Sequence, residues 1–119
     1  MPVNSALLAA VAALALSGNA WAHPKLVASS PASGAALAKA PADVRIKFDE
    51  PIEGAFSSLR LLDAAGKELA VDRAAIDEAD PAALVLHLGP IGTGRYTARW
   101  SVVGRDGHRV RGEFGFSVQ

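Results

Sequence analysis

Cysteine is absent from the 119 residues, and methionine occurs once, as Met1. The first absence removes disulfides and thiolate ligands, which excludes Cys-based zinc and copper sites. The second leaves no thioether ligand, and so no methionine site for Cu(I), anywhere beyond the first residue. Charge of one sign is not in excess: Lys+Arg and Asp+Glu are 12 each. A chain without a basic surplus has no bulk electrostatic grip on nucleic acid or on an anionic membrane surface. There is also no apolar run of membrane-spanning length. The run Ala6 to Leu16 is too short to cross a bilayer as a helix.

That run is informative in another way. Ser17-Gly18-Asn19 breaks it, and Ala20-Trp21-Ala22 follows with the small-x-small pattern of a signal-peptidase site. No Lys or Arg precedes the run, so Met1 alone supplies positive charge there. Residues 1–22 are expected to be a cleaved secretory signal, leaving residues 23–119 as one exported domain. Roughly a hundred residues suffice for one modest core without metal or disulfide staples.

The exported part reads as short strands between Gly/Pro turns. Lys25 to Ser29 extends, and Pro31 to Gly34 turns. Leu37 to Pro41 is a loop or a single helical turn. Val44-Arg-Ile46-Lys-Phe48 alternates strictly, which puts Val44, Ile46 and Phe48 in a core and Arg45 and Lys47 toward water. Strands are expected at Ser57 to Leu62, Glu68 to Val71 and Ala83 to Leu88, with Asp72 to Pro81 a solvated acidic loop. Arg95 to Val103 carries Tyr96, Ala98, Trp100 and Val102 on one face, and Val110, Phe114, Phe116 and Val118 form a last inward face. About seven such strands with no long helical period indicate an antiparallel β-sandwich. Gly94-x-Tyr96 at a strand start has the form of the tyrosine corner of Greek-key sandwiches.

Two places carry chemistry. Cleavage after Ala22 makes His23 the N-terminus, so its α-amine and its ring can chelate one metal ion together. Pro24 has no backbone N–H, which blocks chelation through successive amides and leaves amine plus imidazole. Nitrogen ligands in this number suit Cu(II). Far along the chain, Asp106-Gly107-His108 sets a carboxylate and an imidazole two residues apart. Residues so spaced in an extended segment point to one side, and Gly107 permits the turn. In a sandwich the first and last strands are often neighbours. His23, Asp106 and His108 are then able to supply an amine, two imidazoles and a carboxylate, a tetragonal N,O set of the kind Cu(II) prefers.

With these residues in view, the exported chain resembles the CopC copper-binding proteins of the bacterial periplasm over essentially its whole length. The resemblance rests on His23, on Ser29-Ser-Pro-Ala-Ser-Gly34-Ala35, and on the strand Val44 to Pro51 ending Phe-Asp-Glu-Pro. It rests further on Gly94-x-Tyr96-x-x-x-Trp100 and on Asp106-Gly-His108 followed by Gly112-x-Phe114-x-Phe116. It implies a seven-stranded, Greek-key, immunoglobulin-like, cupredoxin-like sandwich. It also implies Cu(II) held by His23, Asp106 and His108, and a partner of the CopD type of inner-membrane copper transporter. Some members carry a Met-rich Cu(I) segment. This chain lacks one, and so looks like the Cu(II)-only type.

The expected function is a periplasmic Cu(II)-binding protein that sequesters or hands over copper without catalytic turnover. Two other classes stand beside it. One is an enzyme like the copper monooxygenases that use an N-terminal His clamp, although a bound Asp carboxylate would fill the position that oxygen activation needs. The other is a metal-free immunoglobulin-like interaction module. His87 reads as a surface histidine. Arg105, Arg109 and Arg111 read as solvated strand ends flanking the site, available to a partner's acidic face.

Overall fold

The computed structural model describes residues 23–69 and 72–119; the predicted signal segment therefore lies outside the described residues. Eight strands follow one another: β1 (Leu26–Ser30), β2 (Ala36–Leu37), β3 (Asp43–Phe48), β4 (Ser58–Leu62), β5 (Ala75–Asp77), β6 (Asp80–His87), β7 (Gly94–Val103) and β8 (Arg109–Val118). They form two four-stranded sheets, ordered β1-β3-β6-β5 and β2-β8-β7-β4. Every pairing is antiparallel except β2 with β8, which run parallel. No helix among the described residues is long and apolar enough to cross a membrane.

The strict alternations of the sequence become the inner faces of the two sheets. Val44, Ile46 and Phe48 of β3 are 0–1% exposed, and Leu84 and Leu86 of β6 join them. From the other sheet come Leu59 and Leu61, Tyr96, Ala98, Trp100 and Val102, and Phe114, Phe116 and Val118. Branched aliphatic residues dominate this core, as the scarcity of aromatics requires. Its few rings are spent on specific contacts. Phe48 meets Trp100 edge to face at 5.1 Å across the sheets, and Tyr96 stacks on Phe116 at 5.6 Å. The Tyr96 hydroxyl donates to the Gly92 carbonyl at 2.6 Å, so the predicted tyrosine corner is present.

The expected sandwich is found, with eight strands rather than seven. The surplus comes from β2 and β5, which have two and three residues and so too few positions to show a period. Leu37 was expected to open a loop or a single helical turn, yet Ala36–Leu37 pairs with Ser117 and Val118. The acidic segment expected to be a solvated loop contains β5, an edge strand whose Asp77 holds Arg45 at 3.3 Å. Asp80, at the start of β6, lies 2.8 Å from Lys47. Arg45 and Lys47 point away from the core as predicted, but into ion pairs. The strand predicted at Glu68 to Val71 reduces to one bridge, Leu62 with Glu68; Ala70 and Val71 lie outside the described residues.

Candidate metal centre

β1 and the β7–β8 turn belong to different sheets, and the segment after β3 joins them. The backbone of Lys25 exchanges bonds with Asp49: its N–H donates to Oδ1 at 2.8 Å, and its carbonyl accepts from the Asp49 N–H at 2.9 Å. This clamps the chain just after His23-Pro24. Beyond Asp49 the chain crosses to the second sheet. There Ile52 bridges Gly104, and the Glu53 N–H donates to Val103 at 2.8 Å. Ser57 fastens the crossing by donating to the Glu53 carbonyl while accepting from the Val103 N–H. Pro24 is buried against Gly104, where an added Cβ would lie 2.9 Å from the proline Cγ. His23 is delivered by these contacts to the mouth of the turn.

The turn itself spans Gly104 to His108. Gly104 accepts from Gly107 and donates to His108, both at 3.0 Å. Gly107 has φ +87°, the left-handed region that favours glycine. Asp106 then holds His108 twice. Its Oδ1 accepts the His108 backbone N–H at 3.0 Å, and its Oδ2 lies 2.8 Å from the ring Nδ1. With a carboxylate as acceptor, Nδ1 carries the proton and the lone pair sits on Nε2. A neighbouring carboxylate orients metal-binding histidines in this way.

The His23 ring stands edge-on to the His108 ring, with centroids 5.0 Å apart. One donor atom each from His23, Asp106 and His108 falls within 4.8 Å of the others, the one such group among the described residues. All three predicted residues are therefore brought together at an exposed position. The Asp106 carboxyl is held below its ordinary value. The hydrogen bond from the His108 ring is the main cause, followed by the His108 backbone N–H; burial opposes these, and the nearby charges of His108 and His23 add a lesser lowering. An exposed carboxylate kept ionised between two imidazoles is a ready cation ligand. His87 is not part of the cluster; it is exposed on β6 opposite Asp43.

Sequence reasoning missed two contributors. Gly104 was not singled out, yet it is the floor on which Pro24, Asp106 and Glu50 meet. Glu50 read only as the residue closing β3, yet its Oε1 would lie 2.5 Å from a Cβ at position 104. Its place in the Phe-Asp-Glu-Pro stretch was the available signal.

Comparisons with known proteins identify the family. The CopC domain pattern matches residues 26–119. Copper resistance protein C of Xanthomonas campestris pv. juglandis is 37% identical over 115 residues, covering 92% of this chain and 90% of that protein. Copper transport protein CutJ of Bacillus subtilis is 32% identical over 99 residues, covering 82% of this chain but only 18% of that protein. The crystal structure of CopC from Methylosinus trichosporium OB3b superimposes with a TM-score of 0.76 at 33% identity, covering 82% of this chain and 94% of the other. A match over residues 26–119, shared with a relative that this chain covers almost end to end, leaves one assignment: the chain belongs to the CopC domain family.

Proposed function

We propose that residues 23–119 act in the periplasm as a Cu(II)-binding protein of copper resistance, which takes up copper as cargo and passes it on. The observation that carries this reading is the convergence of His23, Asp106 and His108 within 4.8 Å in a CopC fold. The copper role is supported by relatives named for copper resistance and copper transport. Cu(II) rather than Cu(I) follows from the donor set, which holds nitrogen and carboxylate oxygen and no sulfur. The set is completed only when residues 1–22 are removed, because until then the His23 nitrogen is an amide. Removal of a signal also places the domain outside the cytoplasm.

The protein is a carrier rather than an enzyme. A carboxylate on the metal takes the position that oxygen would need, and the ligands come from two separate chain segments. A recipient can displace the terminal His23 pair first and leave the turn intact. A CopD-type inner-membrane transporter is the proposed recipient. In CutJ, a stretch similar to this chain is part of a longer protein named for copper transport.

Electron paramagnetic resonance on the chain beginning at His23, with one equivalent of Cu(II), tests the site. We expect nitrogen hyperfine structure that weakens in His108→Ala. A chain that retains Ala22 should lose the native spectrum. Identical spectra from the two N-terminal forms would rule out the terminal amine as a ligand. Copper-dependent consumption of oxygen with ascorbate would overturn the carrier assignment.

A further inference from the structure

The outer face of β4, β7 and β8 carries a concentration of charge that the net composition hides. Tyr96, Ala98, Trp100 and Val102 point into the core, so Arg95, Arg99 and Ser101 point out. Across the sheet, Ser101 faces Arg111 and Arg99 faces Glu113, while Arg60 on β4 faces Arg99 from the other side. Arg60, Arg95, Arg99, Arg109 and Arg111 thus lie on one face of a chain whose formal net charge is zero. A groove of about 570 Å³ runs along this face, lined by Ser58, Arg60, Arg99, Ser101, Arg109 and Arg111. Trp100, Gly112 and Glu113 complete its lining, and the Trp100 ring packs over Gly112 on the core side of the sheet.

The groove opens beside the metal centre. Arg109 follows His108 directly, and its Nη1 donates to Ser101 Oγ at 2.7 Å and to the Phe56 carbonyl at 3.0 Å. Phe56 is 64% exposed, one of two large apolar side chains left open to water among the described residues. The arginines are only partly neutralised. Arg99 reaches Glu113 at 3.0 Å and Arg60 reaches Glu68 at 3.8 Å, whereas Arg111 has no acidic partner among the described residues.

We propose that this groove is the docking site for an acidic segment of the protein that exchanges copper with this one. Guanidinium groups present planar forks that match carboxylates in pairs, and the two serine hydroxyls add neutral donors. Exposed Phe56 at the rim is an aromatic anchor of the kind that concentrates binding energy at interfaces. A strand-lined groove suits an extended peptide better than a flat plane of lipid headgroups, which meets only its rim. A second copy of this chain fits less well, because several of its own carboxylates are already engaged. Asp77 and Asp80 are held by Arg45 and Lys47, and Asp63 caps its own turn. An acidic segment that reaches Arg109 ends one residue along the chain from His108, near the proposed ligands. That use of the groove rests on the copper-carrier reading; its affinity for acidic peptide does not.

The Methylosinus trichosporium structure, matched over 94% of its length, shows that such a domain folds alone, so the test uses residues 23–119. In this form Trp100 is the single tryptophan, since the other, Trp21, precedes it. Hexaglutamate titrated into the metal-free protein should change Trp100 fluorescence saturably, and more weakly as salt rises. Arg111→Glu and Arg60→Glu should each weaken binding about tenfold, with circular dichroism and the Cu(II) spectrum unchanged. Absence of saturable binding, or binding by both variants as tight as by the unaltered protein, overturns the proposal. So does preferential binding to phosphatidylglycerol vesicles, which makes the face a membrane contact. A concentration-dependent dimer abolished by Arg111→Glu overturns it in favour of self-association. Peptide binding without Cu(II) uptake would leave the groove standing and remove the carrier reading instead.

Discussion

Gly104 shows how one missing side chain sets the centre. Its backbone is not in the left-handed region, so alanine is conformationally acceptable there; the obstacle is space. An added Cβ would meet Glu50 Oε1 at 2.5 Å, Pro24 Cγ at 2.9 Å and Asp106 Oδ1 at 3.2 Å. The Glu50 carboxylate ends a flexible side chain and can swing away. The proline ring cannot, because the Lys25–Asp49 clamp follows it immediately. Gly104→Ala should therefore push Pro24, and His23 with it, away from the turn. We expect Cu(II) affinity to fall about tenfold while stability drops by no more than about 1 kcal/mol. Competition against a chelator and thermal unfolding measure the two separately. Unchanged affinity would mean that His23 reaches the metal without the Pro24–Gly104 contact. His23, Asp106 and His108 were legible in the sequence because residue type and spacing declare a ligand. Gly104 and Glu50 were not, since their importance arises where the chain crosses between sheets, and no local pattern records that crossing.

Among the elements, legibility followed length and burial. β3 and β7 keep a period of two over enough residues to separate an inner from an outer face, and both appear where expected. β2 and β5 exist through their neighbours. Ala36–Leu37 borrows the edge of β8, and Ile76 pairs with Leu84 and packs over Gly54. Neither strand has a pattern of its own. β8 shows how close packing imposes a further requirement: Gly112 pairs with Trp100, and a Cβ there would overlap three carbons of the indole ring. That ring is 9% exposed and fixed edge-on against Phe48, so it has no room to retreat. Gly112→Ala should destabilise the domain by about 2 kcal/mol through overpacking. For a domain of this size the midpoint should fall by roughly 10 °C. The change should register as disturbed tryptophan fluorescence and near-ultraviolet dichroism. A midpoint within a degree or two of the original would show that the ring repacks freely.

For the whole molecule, copper at the proposed site would tie His23 to the turn before the last strand. If it binds this arrangement only when folded, it should stabilise the fold by about 4 kcal/mol when free copper exceeds the dissociation constant a thousandfold. That raises the midpoint by on the order of 15 °C. Two sets of groups govern how this depends on pH, and they act in different ranges. Nitrogen ligands must shed their protons to bind. The folded protein's own acid sensitivity comes from carboxylates. Asp106 is held below its ordinary value, chiefly by the His108 ring, and Asp80 likewise, chiefly by its hydrogen bond with Lys47. A carboxylate depressed in the folded state contributes stability that is present above its unfolded pKa, 3.8 for these groups, and lost as pH falls through its folded pKa. Copper-dependent stabilisation should therefore fall with pH as the nitrogen ligands take up protons, where the metal-free domain is still intact, and the domain itself should weaken only as pH falls below 3.8, through the depressed carboxylates. Thermal melts with and without Cu(II) across pH 3 to 8 separate the two transitions. A copper effect that persists to pH 4 would show that carboxylates, not nitrogen ligands, hold the metal.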